Sequence, residues 1–259
     1  MPPLDGLLDR LPVFLLIGVR VGALLHLLPG FDARTVPAAV RLWLTLLLSL
    51  LLVPVVAAGP LDVTDPVALV LAVAREAAVG GLLGLVVRML ISAAAYGGRL
   101  AGAHVGFGFA GTIDPMSGEE DAMLDRLQER LAIILFMVIG AHRGVIAALG
   151  QSFRLVPLGQ AHFTPALGEA YVSLFAQAVV LAVQIAAPVI AATTLAEIAI
   201  GLLSRSVPQF NVISVGFGIR IALGLAVFGL ALPAAMSLMR ESIGGVPVAL
   251  RGILGHLAP

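Results

Sequence analysis

The 259-residue sequence contains no cysteine and no lysine. Without cysteine the chain has no disulfide, no thiolate nucleophile and no metal site with cysteine ligands. Charge is also scarce, because Asp, Glu, Lys and Arg make up only 12% of the residues, against about 25% in soluble domains. The 15 arginines are balanced by 15 acidic residues, so no net field attracts polyanions. We therefore expect no nucleic-acid partner.

What the chain has instead is apolar sequence, since 60% of its residues are hydrophobic. A helix needs about 20 mostly apolar residues to cross a bilayer. Short links rich in proline and glycine separate the apolar stretches. The sequence therefore predicts an all-α membrane protein with about six apolar helical segments arranged as hairpins. These segments are Leu11–Leu28, Val36–Ala58, Val67–Ala95, Leu131–Leu149, Val172–Leu203 and Val212–Met239.

The residues before the first segment carry Asp5 and Asp9 against a single arginine, Arg10. A cleaved signal peptide begins with a basic region instead. We therefore expect Leu11–Leu28 to belong to the mature protein.

Several apolar segments contain charged side chains, which are costly beside acyl chains. We therefore expect these segments to pack mostly against protein. Glu197 is within reach of either Arg205 or Arg220 in the predicted hairpin, and the sequence does not choose between the two. The charged residues in question are Arg20, Arg75, Glu76, Arg88, Glu197 and Arg220.

A small residue recurs at every fourth position near the end of the third segment. Such spacing puts the small residues on one helix face and lets another helix backbone approach closely. The alternative is a glycine-rich loop, because glycine is unfavourable inside a helix. We favour the helix, with a packing face at Ala94, Gly98 and Gly102 that continues to Gly106 and Ala110.

The stretch VGFGFAGTIDP, residues 105–115, contains the spacing GxGxxG of dinucleotide-binding loops. That motif requires a preceding strand and a ribose-binding acid in a βαβ unit, and the sequence predicts neither. We interpret the stretch as an interrupted apolar segment in which two phenylalanines lie on a pliable backbone, ended by an Asp-Pro step. Its residues are Gly106, Phe107, Gly108, Phe109, Ala110, Gly111, Asp114 and Pro115.

Catalytic and metal-binding patterns are missing from the sequence. The histidines are scattered without an HxxxH or HExxH pair, and Glu119, Glu120 and Asp121 fit a helix cap better than a calcium loop. No serine-nucleophile elbow or phosphate-binding loop occurs. We expect no enzyme activity, no cofactor and no metal.

The last two segments contain Pro188 and Pro233, which we expect to kink their helices. A tight turn joins these segments into a hairpin. The residues that we assign to this turn and to assembly are Arg205, Pro208, Asn211 and Gly216.

Three runs taken together resemble the FliR family of flagellar export-gate proteins and its type III secretion relatives. They are VGFGFAGTIDP, ILFMVIGAHRGVIAALGQSFRLVPLG and GLLSRSVPQFNVISVGFGIRIALGLAVFGLALP. The resemblance covers most of the chain in one register. It departs from the family pattern at Gly111, where a threonine is expected, and at Gly218, where a proline is expected.

The resemblance implies that residues 1–259 form one FliR-like membrane export-gate domain without enzyme activity. The implied location is the bacterial inner membrane, in the flagellar basal body. FliP-like and FliQ-like subunits and an FlhB-like switch protein are the implied partners, and unfolded flagellar proteins are the implied cargo. The loop from Gly106 to Pro115 corresponds to the plug of the channel, where aromatic rings on flexible glycines close a pore.

Three other interpretations stay open at this point. One is the homologous subunit of a virulence-type type III secretion system. Another is a small-solute secondary transporter, favoured by the helix prolines and intramembrane charges but not by any internal repeat. The last is an intramembrane enzyme, against which the missing nucleophile and metal motifs argue.

Overall fold

The computed structural model describes residues 10–31, 36–56, 65–106, 122–206 and 212–258. Every regular element in these ranges is a helix, which confirms the prediction of an all-helical protein. In chain order the helices are α1 (Leu11–Leu27), α2 (Ala38–Leu52), α3 (Pro66–Val105), α4 (Ala122–Ile139), α5 (Ala141–Leu155), α6 (Pro165–Ser206), α7 (Val212–Gly244) and α8 (Val246–Leu257).

Three stretches of the described chain are long and apolar enough to cross a membrane, namely Pro66–Val105, Pro165–Ser204 and Gly216–Leu257. The broken pair α4–α5 makes a fourth candidate. Helices α1 and α2 have only 17 and 15 residues, so at ~1.5 Å per residue both are shorter than a ~30 Å hydrocarbon core. The prediction of membrane helices is confirmed at this level, whereas an arrangement of six hairpin segments stays a prediction.

Two segments differ in detail from their predicted course. The predicted fourth segment, Leu131–Leu149, is interrupted at Gly140, whose φ of 78° begins the separate helix α5. The sequence marks this place only by the polar residues His142 and Arg143, which follow the glycine within the apolar run. The third segment extends further than predicted, because α3 continues to Val105. The loop alternative is therefore wrong for residues 94–105, which are helical.

The chain forms two compact units, and α3 and α6 contribute residues to both. The first unit comprises Met1–Met89, Gly140–Leu174 and Gly244–Pro259, and the second comprises Leu90–Ile139 and Phe175–Ile243. In the first unit, fully or almost fully buried side chains include Leu16, Ile17, Val21, Leu83, Leu250 and Leu254. The core of the second unit contains Ala101, Val105, Leu124, Ala186, Val189 and Phe228.

Candidate functional site

Helices α1 and α3 of the first unit touch through their backbones. A Cβ atom at Gly80 would collide with the Arg20 carbonyl group, and one at Gly84 would lie 2.8 Å from the Leu24 carbonyl oxygen. Glycine is the residue that permits this approach, since it has no side chain. The spacing of four residues between the two glycines is the small-xxx-small pattern of packed membrane helices.

Helix α1 also packs against α2, here at ordinary van der Waals distance from two side chains. A Cβ atom at Gly18 would lie 3.6 Å from Ser49 Oγ, and one at Gly22 would lie 3.4 Å from Thr45 Cγ2. The two hydroxyl groups donate to carbonyls of their own helix, from Ser49 to Thr45 at 2.7 Å and from Thr45 to Arg41 at 2.8 Å. Their hydrogen-bonding capacity is thus satisfied without an interhelical partner.

Beside the α1–α3 contact lies a buried ion pair. Arg20 Nε donates to Glu76 Oε2 at 2.6 Å and Arg20 Nη2 donates to Glu76 Oε1 at 3.0 Å. Both side chains are 0% exposed, so this pair has no contact with lipid or water in the folded chain. Pairing is the arrangement that makes such buried charges tolerable.

In the second unit, α3 approaches α4 and α6 closely at two neighbouring glycines. Ala94 is buried, and a Cβ atom at Gly98 would lie 2.8 Å from the Asp125 Cα atom of α4. At Gly97, the residue before Gly98, a Cβ atom would lie 2.8 Å from the Ile185 Cβ atom of α6. These positions hold the backbone of α3 close to its neighbours.

The predicted plug begins at Gly106, directly after the end of α3. This glycine lies close to side chains of α7. Gly106 has a φ of 106°, and a Cβ atom there would lie 3.1 Å from the Phe217 ring and 3.8 Å from Arg220 Cδ. The Arg220 guanidinium donates to Glu197 Oε1 at 2.9 Å. Of the two partners that the sequence offered for Glu197, the structure therefore places Arg220 beside it.

The other residues that we assigned from the sequence lie in α6, in α7 or outside the described residues. Residues 107–115 of the predicted plug, Pro208 and Asn211 lie outside the described residues. Arg205 lies in α6 and Gly216 lies in α7, so neither is part of the turn itself. A Cβ atom at Gly216 would lie 3.3 Å from Ile200 Cγ2 of α6.

The glycine spacing that begins at Gly106 is preceded by a helix. Helix α3 runs up to Val105, so the glycine spacing at Gly106 follows a helix and not the strand that a dinucleotide loop requires. Among the residues that the structure describes, no group of three or more His, Asp or Glu side chains is placed to hold a metal ion.

Sequence reasoning missed two features of the first unit. The glycine pair Gly80/Gly84 has a spacing of four, which is a readable signal for close helix contact. The pairing of Arg20 with Glu76 had no local signal, because 56 residues separate them. Their position inside apolar segments indicated only that they needed partners.

Comparison with known proteins finds sequence similarity over most of the chain. Residues 11–246 match the family described as Bacterial export proteins, family 1. The chain is 29% identical over 226 residues to the flagellar biosynthetic protein FliR of Bacillus subtilis, which covers 85% of each chain. It is 31% identical over 221 residues to the FliR protein of Pectobacterium carotovorum, covering 83% of this chain and 82% of the relative. With the Yop proteins translocation protein T of Yersinia pestis, 29% identity extends over 180 residues and 68% of each chain. The chain therefore belongs to the FliR family of bacterial export proteins.

Proposed function

We propose that the chain is a structural and gating subunit of the flagellar type III protein-export apparatus in the bacterial inner membrane. The observation that carries this proposal is the family match across residues 11–246. FliR proteins that align over more than four fifths of both chains support the same assignment. The family is one of export-gate proteins and not of enzymes, so the role is to build a passage and control its opening.

Helix length supports a role in a larger assembly. Helices α3 and α6 have 40 and 42 residues, which at ~1.5 Å per residue gives about 60 Å each. This is twice the ~30 Å hydrocarbon core of a bilayer. A large part of each helix must therefore lie outside that core, or the helix must be strongly tilted. Apolar side chains outside the core need protein to cover them.

Exposed apolar surface supports the same conclusion. Only 33% of the apolar window in Pro165–Ser204 and 17% of that in Gly216–Leu257 is buried within the chain. The half-exposed Glu197–Arg220 pair adds charge to this surface, which is unfavourable against acyl chains. The partners that we propose are FliP-like and FliQ-like membrane subunits and an FlhB-like switch protein, with unfolded flagellar proteins as cargo.

For the gate itself, we propose the loop that begins at Gly106 and contains Phe107, Phe109, Asp114 and Pro115. The positive φ of Gly106 and its contact with Phe217 support a fixed starting point for this loop. In the proposed gate, the rings of Phe107 and Phe109 supply the bulk that excludes water and ions from a narrow pore.

Two further sets of residues are proposed to shape the subunit. Ala94, Gly98 and Gly102 form the helix-packing face of α3, which is supported by the short distance from Gly98 to the α4 backbone. Arg205, Pro208, Asn211 and Gly216 shape the connection between α6 and α7 and its assembly with partners. The contact of Gly216 with Ile200 across these helices supports this assignment.

The experiment that tests the proposal is secretion in a strain that lacks this chain. Deletion should abolish export of flagellar filament and hook proteins, and the intact chain expressed in trans should restore it. Filament proteins exported at normal levels without the chain would refute the proposal.

One relative favours a second candidate, the equivalent subunit of a virulence-type type III system. The Yersinia pestis protein aligns over 68% of this chain, whereas the Bacillus subtilis FliR protein aligns over 85%. The longer alignment favours the flagellar system. Loss of effector secretion with flagella intact in the deletion strain would instead indicate the virulence-type role.

A further inference from the structure

The turn between α5 and α6 is held in an unusual way. Its backbone turns at Leu158 and Gly159, where Gly159 has a φ of 72° and Gln160 N donates to Pro157 O at 3.1 Å. Glycine at the third position of such a turn fits a type II geometry. Leu158 is 2% exposed, so the middle of the turn is anchored inside the first unit.

Side chains from α1 and α3 bind the backbone of this turn. Gly159 N donates to Glu76 Oε1 at 2.9 Å, and Arg75 Nη1 donates to Gly159 O at 2.7 Å. On the α5 side, Arg20 Nη2 donates to Val156 O at 3.0 Å. The last carbonyl groups of a helix lack partners within the helix and attract cations, so Arg20 caps the end of α5.

The Arg20 guanidinium makes two further contacts. Its Nη1 atom donates to Ser152 Oγ at 3.1 Å, and its Cζ atom lies 4.4 Å from the centroid of the Phe153 ring. With the bidentate contact to Glu76, one planar fork thus joins α1, α3 and α5. A lysine ammonium cannot reproduce this set of directions.

We infer that Arg20 and Glu76 are positioning residues that hold the turn Val156–Gln160 in one conformation. Their contribution is conformational because a buried ion pair adds little net stability over apolar residues of similar volume. The pair instead specifies where α5 ends and in which direction the chain enters α6. Both side chains are fully buried, so neither can contact cargo directly.

The turn can be observed directly because the chain has no cysteine. In a Leu158→Cys parent, the introduced thiol is the single thiol of this chain, and we expect slow reaction with a maleimide in membranes that contain the assembled apparatus. Adding Glu76→Gln removes the charge that binds both Arg20 and Gly159. We expect labelling to accelerate at least about tenfold, the effect of losing one charged hydrogen bond.

A matched control is Glu169→Gln in the same parent. Glu169 is an exposed carboxylate of α6 in the same unit, and its change to an amide should leave the labelling rate as in the parent. Equal labelling rates in the Glu76→Gln variant and this control would overturn the inference.

A double variant separates positioning from stability. Arg20→Met with Glu76→Leu, made in the same parent, replaces the ion pair by apolar volume. We expect this protein to accumulate at the parent level, but its introduced thiol to be labelled as fast as in the Glu76→Gln variant. A protected thiol in this abundant protein would overturn the inference. Failure of the double variant to accumulate would also overturn it, because the pair would then serve stability itself.

Secretion provides a separate readout. The inference predicts reduced export of flagellar proteins by the double variant at normal abundance, and unchanged export by Glu169→Gln. Since maleimide labelling does not depend on secretion, a failure of the proposed export function would leave the result on the turn intact.

Discussion

Gly80 of α3 lies against the carbonyl group of Arg20 in α1, so close that a methyl group cannot be added without moving one of the two helices. The contact is backbone to backbone, and no flexible side chain is present to yield. It also brings α3 into the position from which Glu76, one helical turn earlier, reaches the Arg20 guanidinium. The close backbone contact at Gly80 and the buried Arg20–Glu76 ion pair are therefore two parts of one contact between α1 and α3.

Replacing Gly80 with alanine should destabilise the chain by about 1–3 kcal/mol, because overpacking forces backbone shifts. Gly81→Ala is the matched control, since its Cβ would meet Leu27 Cδ1 at an ordinary 3.7 Å and alanine favours the helix by up to about 1 kcal/mol. Thermal unfolding of the detergent-solubilised chain measures the difference. Equal midpoints for the two variants would contradict the close contact.

The same reasoning applies to the packing face in the second unit. Gly98→Ala should lower the unfolding temperature, because its Cβ would be 2.8 Å from backbone atoms of α4, a distance that forces the helices apart. Gly168→Ala on α6 has no atom within 4 Å of its Cβ and should be neutral or slightly stabilising. A Gly98→Ala chain as stable as the Gly168→Ala chain would remove Gly98 from the packing face.

How much of this was predictable depends on how local each signal is. The helices and their apolar character follow from composition and run length, so the all-helical membrane fold was predictable. The break at Gly140 was only indicated, by the polar residues His142 and Arg143 that follow it, because the positive φ of this glycine does not follow from composition. The spacing of Gly80 and Gly84 does carry a local signal for close helix packing.

The partners of the buried charged residues could not be predicted from the sequence, for a different reason. Arg20 and Glu76 each signalled the need for a partner, but Arg75 and Arg88 are also near in the chain, and selecting among them requires the packing of α1 on α3. The two candidates for Glu197 show the same ambiguity, and its 2.9 Å contact with Arg220 could not be selected from the sequence.

Gly106→Ala should impair export. Its backbone has a φ of 106°, a region that costs a residue with a side chain about 1–2 kcal/mol, and the added methyl group would press on the Phe217 ring. Gly229→Ala on α7, with no atom within 4 Å of its Cβ, is the control. Secreted flagellar protein, measured against chain abundance, should fall in the first variant alone; equal secretion would show that the Gly106 conformation is dispensable.

Replacing Phe107 and Phe109 together with alanine should make membranes that contain the assembled gate leaky to small ions, because the bulk that seals the pore is lost. Phe163→Ala removes a half-exposed ring outside the proposed plug and should leave conductance unchanged. Ion conductance of membranes expressing the full gate is the measurement. Tight membranes in the Phe107/Phe109 double variant would exclude these rings from gating.

The central claim is that this chain works as one subunit of a multi-subunit export gate. It is tested most directly by mass spectrometry of the intact complex purified from native membranes in mild detergent through a tag on this chain. We predict that FliP-like and FliQ-like subunits co-purify with it in one discrete assembly. Recovery of the tagged chain alone, from membranes in which those subunits are present, would contradict the claim.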